Sequence, residues 1–200
     1  MKRLVLAVLA VVFFAILGAR WAVSGPPAVS LVPLGPVPGE TLEALAGHVR
    51  GRFGLDVGIV REVPLEESTL DRERRQLVAE ELIALMQRAY WWRAWNPRVV
   101  LIGITRYDMY SRARPDWRFV FNWYMQARTR RAAVMSMARL DPVNLGEPPD
   151  AERFGERLRK TISRDIGFLV YARPTSPNPR SVLFSPLLGV DDLDRIGEDF

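Results

Sequence analysis

The stretch Val99-Val100-Leu101-Ile102-Gly103-Ile104-Thr105 is a continuous apolar run that follows the chain-breaking pair Asn96-Pro97. Runs of this kind form strands that are buried on both faces of a sheet, so we predict a central strand here. Outward from it, hydrophobic spacing and turn residues predict further elements: strands at 29–34, 55–63, 119–124 and 132–137, and helices at 40–53, 74–90 and 150–170. Strands that alternate with helices predict an α/β fold with right-handed crossovers.

Length and composition indicate one compact domain. The chain has 200 residues, and 48% of them are hydrophobic, which is enough for a sizeable core. The net charge is +5, but the first 24 residues hold three basic and no acidic side chains, which leaves 25 basic against 23 acidic for the rest. A nearly neutral domain has no strong electrostatic footprint, so we expect no nucleic-acid partner.

The chain is poor in the side chains that bind transition metals. Cysteine is absent, and His48 is the only histidine. The absence of cysteine excludes disulfides and a lipid-modified cysteine anchor. With no second imidazole and no thiolate available, we interpret His48 as an ordinary side chain of the helix at 40–53.

The first 24 residues have the pattern of a secretory signal or a membrane anchor. Lys2 and Arg3 precede an apolar run at 4–19, which Arg20 and Trp21 close. The run is shorter than the ~20 residues that span a bilayer comfortably, and a small-x-small cleavage pattern follows at 22–24. We therefore predict a leader at 1–24 and a domain at 25–200. The domain would be anchored facing the outside of the cytoplasm, or secreted or periplasmic if the leader is cleaved.

A second pattern extends over nearly the whole domain and consists of segments in a fixed order: 32–37, 52–57, 104–110, 119–122, 131–140 and 160–171. These segments resemble those of archaemetzincins, a family of metzincin-type zinc metallopeptidases. The resemblance implies a single metzincin-like domain, with a twisted mixed sheet and flanking helices.

The resemblance also implies where a zinc site would lie. The family's active helix carries HExxHxxGxxH, in which three histidines bind zinc and the glutamate activates a bound water. In this sequence the histidine, glutamate and glycine positions fall on Arg164, Asp165, Phe168, Tyr171 and Pro174. Arginine stays protonated, and phenylalanine and proline side chains have no donor atoms, so the three histidine positions provide no ligand. Leu183 stands where the family's Met-turn has methionine. We therefore expect a degenerate member with no metal, no cofactor and no zinc-dependent catalysis.

The resemblance places a substrate cleft beside the helix that carries Arg164 and Phe168, and two interpretations of this cleft stay open. Arg164 and Phe168 are four residues apart and should both point into it, with the guanidinium pairing with Asp165, Asp191 or Asp192. In one interpretation the cleft holds an extended peptide along the strand at 119–124 by β-augmentation, and its binding residues are Phe119, Phe121, Trp123, Arg164 and Phe168. In the other the cleft is filled by its own side chains, with Phe168 as a plug.

Three functions follow from these patterns. The leading hypothesis is an exported or membrane-anchored pseudopeptidase that binds a peptide or protein. The second is a hydrolase that holds a hard cation such as Mg²⁺ or Ca²⁺ on Asp165, Asp191, Asp192 or Asp194. The third is a membrane-surface or lipid-binding module built on arginines and on Trp91, Trp92 and Trp95, because indole suits half-wet positions.

Overall fold

A mixed sheet forms the centre of the part of the chain that the computed structural model describes, residues 28–127 and 130–200. Its five strands are β1 (Ala28–Pro33), β2 (Asp56–Ile59), β5 (Val99–Thr105), β7 (Asn122–Ala127) and β8 (Arg130–Ser136). Their order across the sheet is β2-β1-β5-β8-β7. The first four run parallel, and β7 pairs antiparallel to β8 at one edge. The predicted α/β class with a mixed sheet is confirmed.

Helices cover both faces of this sheet, and they are α1 (Gly39–Phe53), α2 (Ala79–Ala89), α3 (Trp91–Ala94), α4 (Ala151–Leu169) and α5 (Val190–Arg195). One apolar core lies between the sheet and α1, α4 and α5, and a second lies between the sheet and α2. The central strand β5 has the predicted bounds and is buried throughout. Its side chains alternate between the cores: Val100, Ile102 and Ile104 face the first, whereas Val99 and Leu101 face the second.

A small second sheet was not predicted. It contains β3 (Leu70–Asp71), β4 (Gln76–Val78) and β6 (Met109–Tyr110), in the order β3-β4-β6. The helix predicted at 74–90 therefore begins only at Ala79, because residues 76–78 pair with the two neighbouring strands. Strands of two or three residues are too short to produce a periodic hydrophobic signal.

The strand predicted at 119–124 begins later than expected, at Asn122. Before it, the Val120 N–H donates to the carbonyl of Met109 at 2.9 Å, so this segment turns towards the small sheet. Asn122 is the first residue in register with β8. Residues 119–121 therefore lead into the edge strand rather than extend it.

The long helix α4 is close to its prediction. Asp150 caps its first turn by accepting a hydrogen bond from the Arg153 N–H at 2.9 Å. Leu158, Ile162, Ile166 and Leu169 are buried in the first core as expected, and Phe154 is only partly buried.

The predicted leader at 1–24, with its apolar run at 4–19, lies outside the described residues. Within residues 28–127 and 130–200, no helix is long and apolar enough to cross a membrane.

Candidate functional site

A cleft of about 760 Å³ opens between the approach to the edge strand β7, helix α4 and the segment at 185–188. Phe119, Phe121 and Trp123 border it from the strand side, and Arg164 and Phe168 border it from α4. All five residues proposed for binding are therefore placed around one cavity. The Trp123 ring is partly buried and also packs against the second core.

Phe168 belongs to the wall of the cleft and does not plug it. Its ring stacks on Tyr124 of β7, with the centroids 4.9 Å apart and the ring planes 20° from parallel. Because Phe168 is only 5% exposed, this pair ties α4 to the edge strand and leaves the space beside it open. The cavity beside this pair favours the interpretation of an open cleft over that of a cleft filled by its own side chains.

Arg164 lies at the border of the cleft with its guanidinium held by backbone. Its Nη1 donates to the carbonyl oxygens of Val182 and Phe184, and its guanidinium carbon lies 5.6 Å from the centre of the Phe168 ring. Burial lowers the pKa of Arg164 to about 10, which still leaves the side chain charged at neutral pH. The expected ion pair with Asp165, Asp191 or Asp192 is wrong, because the carbonyl groups of the 182–184 segment take the guanidinium instead.

Asp165 lies next to Arg164 in sequence but faces the interior. It is fully buried, and its Oδ1 accepts a hydrogen bond from Asn122 Nδ2 at 2.6 Å. Its Oδ2 has no hydrogen-bond partner among residues 28–127 and 130–200. Desolvation raises the pKa of Asp165 to about 7, although Asn122 and the charge of Arg164 oppose this rise. The carboxyl group thus changes its protonation near neutral pH inside the first core.

The helix end keeps a sharp bend without a glycine at Tyr171. α4 ends at Leu169, and Ala172 takes the left-handed backbone conformation with a φ of 49°. Tyr171 and Pro174 are exposed, and Pro174 does not border the cleft. Leu183 is buried and packs closely over Gly167, where an added Cβ would lie 2.8 Å from Leu183 Cδ2.

The residues at these positions do not fit a zinc ion. A guanidinium bound to carbonyl groups, a stacked phenyl ring and an exposed proline offer no lone pair to a metal. Across the described part of the chain, no group of three or more histidine, cysteine, aspartate and glutamate side chains could hold a metal ion.

The acidic residues near the carboxyl terminus have structural partners instead of a shared site. Asp194 accepts two hydrogen bonds from Arg157, both at 2.7 Å. Asp192 accepts from the Leu188 N–H at 3.0 Å, and Asp191 is exposed. The convergence of carboxylates that the hydrolase hypothesis requires is not found within residues 28–127 and 130–200.

Sequence reasoning missed the buried cations that position the far wall of the cleft. Arg157 and Lys160 of α4 are 1% and 2% exposed. Arg157 binds Asp194 of α5, and Lys160 Nζ donates to the carbonyl oxygens of Leu193 and Asp194, where helix α5 has free acceptors. The apolar spacing gave no signal for them, since at helical spacing they lie with Arg164 on the side of α4 opposite Ile162 and Ile166.

Comparison with known proteins gives a consistent class. No model of a protein family matches the chain. The chain is 29% identical over 160 residues to the archaemetzincin of Pyrococcus abyssi, which covers 78% of this chain and 80% of that protein. The crystal structure of the archaemetzincin of Methanopyrus kandleri matches with a TM-score of 0.66 and 25% identity, over 88% of this chain and 89% of the other.

A third match extends the likeness in fold alone. The structure of a zinc-dependent peptidase from Methanocorpusculum labreanum has a TM-score of 0.69 at 19% identity, and the match covers 86% of this chain and 95% of that one. The sheet, the flanking helices and the cleft thus define a metallopeptidase-type fold. Within that class the chain is archaemetzincin-like in both sequence and structure.

Proposed function

We propose that this archaemetzincin-like chain is a pseudopeptidase that binds an extended peptide or protein segment in its cleft and does not cleave it through zinc. One observation carries the proposal. A cleft of about 760 Å³ stays open beside the edge strand, and the α4 side chains that border it, Thr161, Arg164 and Phe168, include no histidine, cysteine or carboxylate. A cleft that lacks metal-binding side chains can bind a ligand but cannot cleave it with a zinc ion.

The edge strand supports an extended ligand. β7 is the last strand of its sheet in the described part of the chain. The Phe121 carbonyl accepts a hydrogen bond from the Ser136 N–H of β8 at 2.8 Å. Because inward and outward backbone groups alternate along an antiparallel strand, those of Asn122 and Tyr124 turn away from β8. A peptide added at this edge would bond to them and continue the sheet.

The test uses the full chain in detergent and a pool of random octapeptides that carry a fluorophore and are blocked at both ends. Fluorescence anisotropy should show the same binding with EDTA and with added zinc, and mass spectrometry should recover the peptides uncut from the sample that contains zinc. Thr175→Trp, which places a large ring on the cleft border, should abolish binding. Pro174→Trp, at the exposed neighbouring residue outside the cleft, should not. Stoichiometric, tightly held zinc or cleaved peptides would overturn the proposal.

A second candidate function, attachment of the domain to a membrane surface, is favoured by the indole cluster of α3. Trp91, Trp92 and Trp95 are 62%, 53% and 59% exposed. Helix α3 contacts the beginning of β1, where Arg93 Nη1 donates to Ser30 Oγ at 3.1 Å. If residues 4–19 anchor the chain outside the cytoplasm, residues 20–27 can extend no further than about 30 Å. The tether would then hold the indoles near the lipid headgroups, which they suit.

Tryptophan fluorescence in the presence of phospholipid vesicles tests this second function. A membrane anchor at 4–19 would by itself bring the full chain to vesicles, so the readout is the blue shift of tryptophan fluorescence in vesicles of neutral and anionic phospholipids. Replacing Trp91, Trp92 and Trp95 by serine should remove most of the shift. Replacing Trp117, which is 43% exposed at the cleft, should not. An equal loss in both variants would contradict membrane contact through α3.

A further inference from the structure

The charges that border the cleft have one sign. Arg114, Arg118 and Arg164 border it, and no aspartate or glutamate does. None of the three arginines forms an ion pair with a carboxylate among residues 28–127 and 130–200. A cleft with cationic walls concentrates a positive potential, because its low-dielectric walls screen the charges poorly. An anionic ligand therefore complements this cavity.

Arg164 is the most deeply placed of these cations. It is only 8% exposed, yet it borders the cavity. Its hydrogen bonds within the described residues are those from Nη1 to the carbonyl groups of Val182 and Phe184. Its Nε and Nη2 have no partner there. Desolvation makes this positive charge costly, and the neighbouring Asp165 offsets only part of that cost. The planar group of donors matches the two oxygens of a carboxylate.

The direction of side chains along β7 indicates that a side-chain carboxylate of the bound peptide can reach Arg164. Asn122 bonds to Asp165 of α4, and Tyr124 stacks on Phe168 of α4, so these two residues of β7 face α4. Side chains of neighbouring strands that lie opposite each other share a face of the sheet. Alternate side chains of a peptide added beside β7 would therefore also point towards α4, where Arg164 lies. The main chain of the peptide would stay in the plane of the sheet.

We propose that the cleft selects acidic extended peptides, with a glutamate or aspartate side chain of the ligand binding Arg164. This inference rests on the proposed peptide binding and names its ligand class. Arg114 and Arg118 add long-range attraction, and the aromatic side chains Phe119 and Phe121 contact the apolar parts of the peptide.

The experiment compares three octapeptide pools on the unaltered full chain in detergent. The first pool has glutamate fixed at a central position, and the second has glutamine there; both are acetylated and amidated. The third has the central glutamine and a free terminal carboxylate. We expect the glutamate pool to bind at least about tenfold more tightly than the glutamine pool, with a preference that weakens as salt is raised.

Variants then assign the preference to Arg164. In Arg164→Gln the two blocked pools should bind equally, and Arg164→Lys should restore part of the preference. Arg173→Gln removes an exposed arginine outside the cleft and should keep the full preference. Because the pool comparison uses the unaltered chain, a misfolded Arg164 variant, detected by circular dichroism, does not remove the test.

The outcomes separate the two proposals. Equal binding of the glutamate and glutamine pools would overturn the acidic-ligand inference and leave peptide binding intact. Tighter binding of the third pool would assign the anion to the chain terminus and overturn the side-chain assignment. Absence of binding by every pool would overturn peptide binding itself.

Discussion

The buried carboxyl of Asp165 should make the stability of this protein fall as the pH rises towards neutrality. Desolvation raises its pKa from the ordinary value of 3.8 to about 7 in the folded chain. Between these two pH values the folded state holds a proton that the unfolded state has lost, so the free energy of unfolding decreases with rising pH. The stabilisation is complete below about pH 4 and gone above about pH 7. At 1.36 kcal/mol per pH unit, it amounts to about 4 kcal/mol at most.

The substitution Asp165→Asn tests this reasoning, because asparagine has nearly the same shape and does not titrate. Its oxygen can still accept the hydrogen bond from Asn122. Relative to the parent, the variant should gain about 3 kcal/mol in unfolding free energy between pH 5 and pH 8. Urea unfolding followed by circular dichroism, repeated at half-unit pH steps, measures the difference. His48, whose pKa burial lowers, contributes an opposite slope, but it is present in both proteins and cancels.

Asp194→Asn is the matched control. Arg157 lowers the pKa of Asp194, so this carboxylate stays ionised in both the folded and unfolded chain from pH 5 to pH 8. Its replacement should lower stability by a constant amount across that range and leave the slope unchanged. The explanation for Asp165 fails if its variant and the parent give parallel curves, since the carboxyl would then titrate at its ordinary pKa.

Four further substitutions test the packing of the domain by urea denaturation. Gly103→Ala should destabilise the protein by about 1–3 kcal/mol, because a Cβ there would lie 2.6 Å from a core leucine methyl. Gly51→Ala should instead stabilise it by about 1 kcal/mol, because the space around this residue of α1 is open. A loss of stability in both variants would contradict the packing argument. Arg157→Leu should cost about 3 kcal/mol, because it leaves Asp194 without its two hydrogen bonds; an unchanged midpoint would show that the pair is dispensable. Phe168→Ala should cost about 3 kcal/mol through its lost packing and stacking, and a cost below 1 kcal/mol would mean that the wall of the cleft is loosely packed.

The elements that sequence patterns predicted well are the long ones with a single burial pattern. The run at 99–105 gives β5 with the same bounds, and the spacing over 150–170 gives α4 to within a residue at each end. The second sheet was not predicted, because its strands depend on pairing with other segments of the chain, as Leu77 pairs with Leu70 and Met109. Long-range pairing of this kind leaves no periodic trace in one short segment.

The candidate site was predicted in position but not in its contacts. The residues named for the cleft do surround one cavity, because the archaemetzincin-like pattern fixed which face of α4 meets β7. The partners of Arg164 could not be read from the sequence, since they are backbone carbonyl groups that every residue has. For the same reason the bond from Asn122 to Asp165 was missed, as it depends on the register between a strand and a helix 43 residues away.

The hydrogen bonds from Arg164 to the carbonyl groups of Val182 and Phe184 connect helix α4 to the segment at 182–184. A helix and a following turn are clasped by a group that is synthesised as part of the chain. Such a clasp is present from the moment of folding, needs no delivery of an ion, and is not extracted by a chelator. Addition of EDTA should therefore leave the melting temperature unchanged.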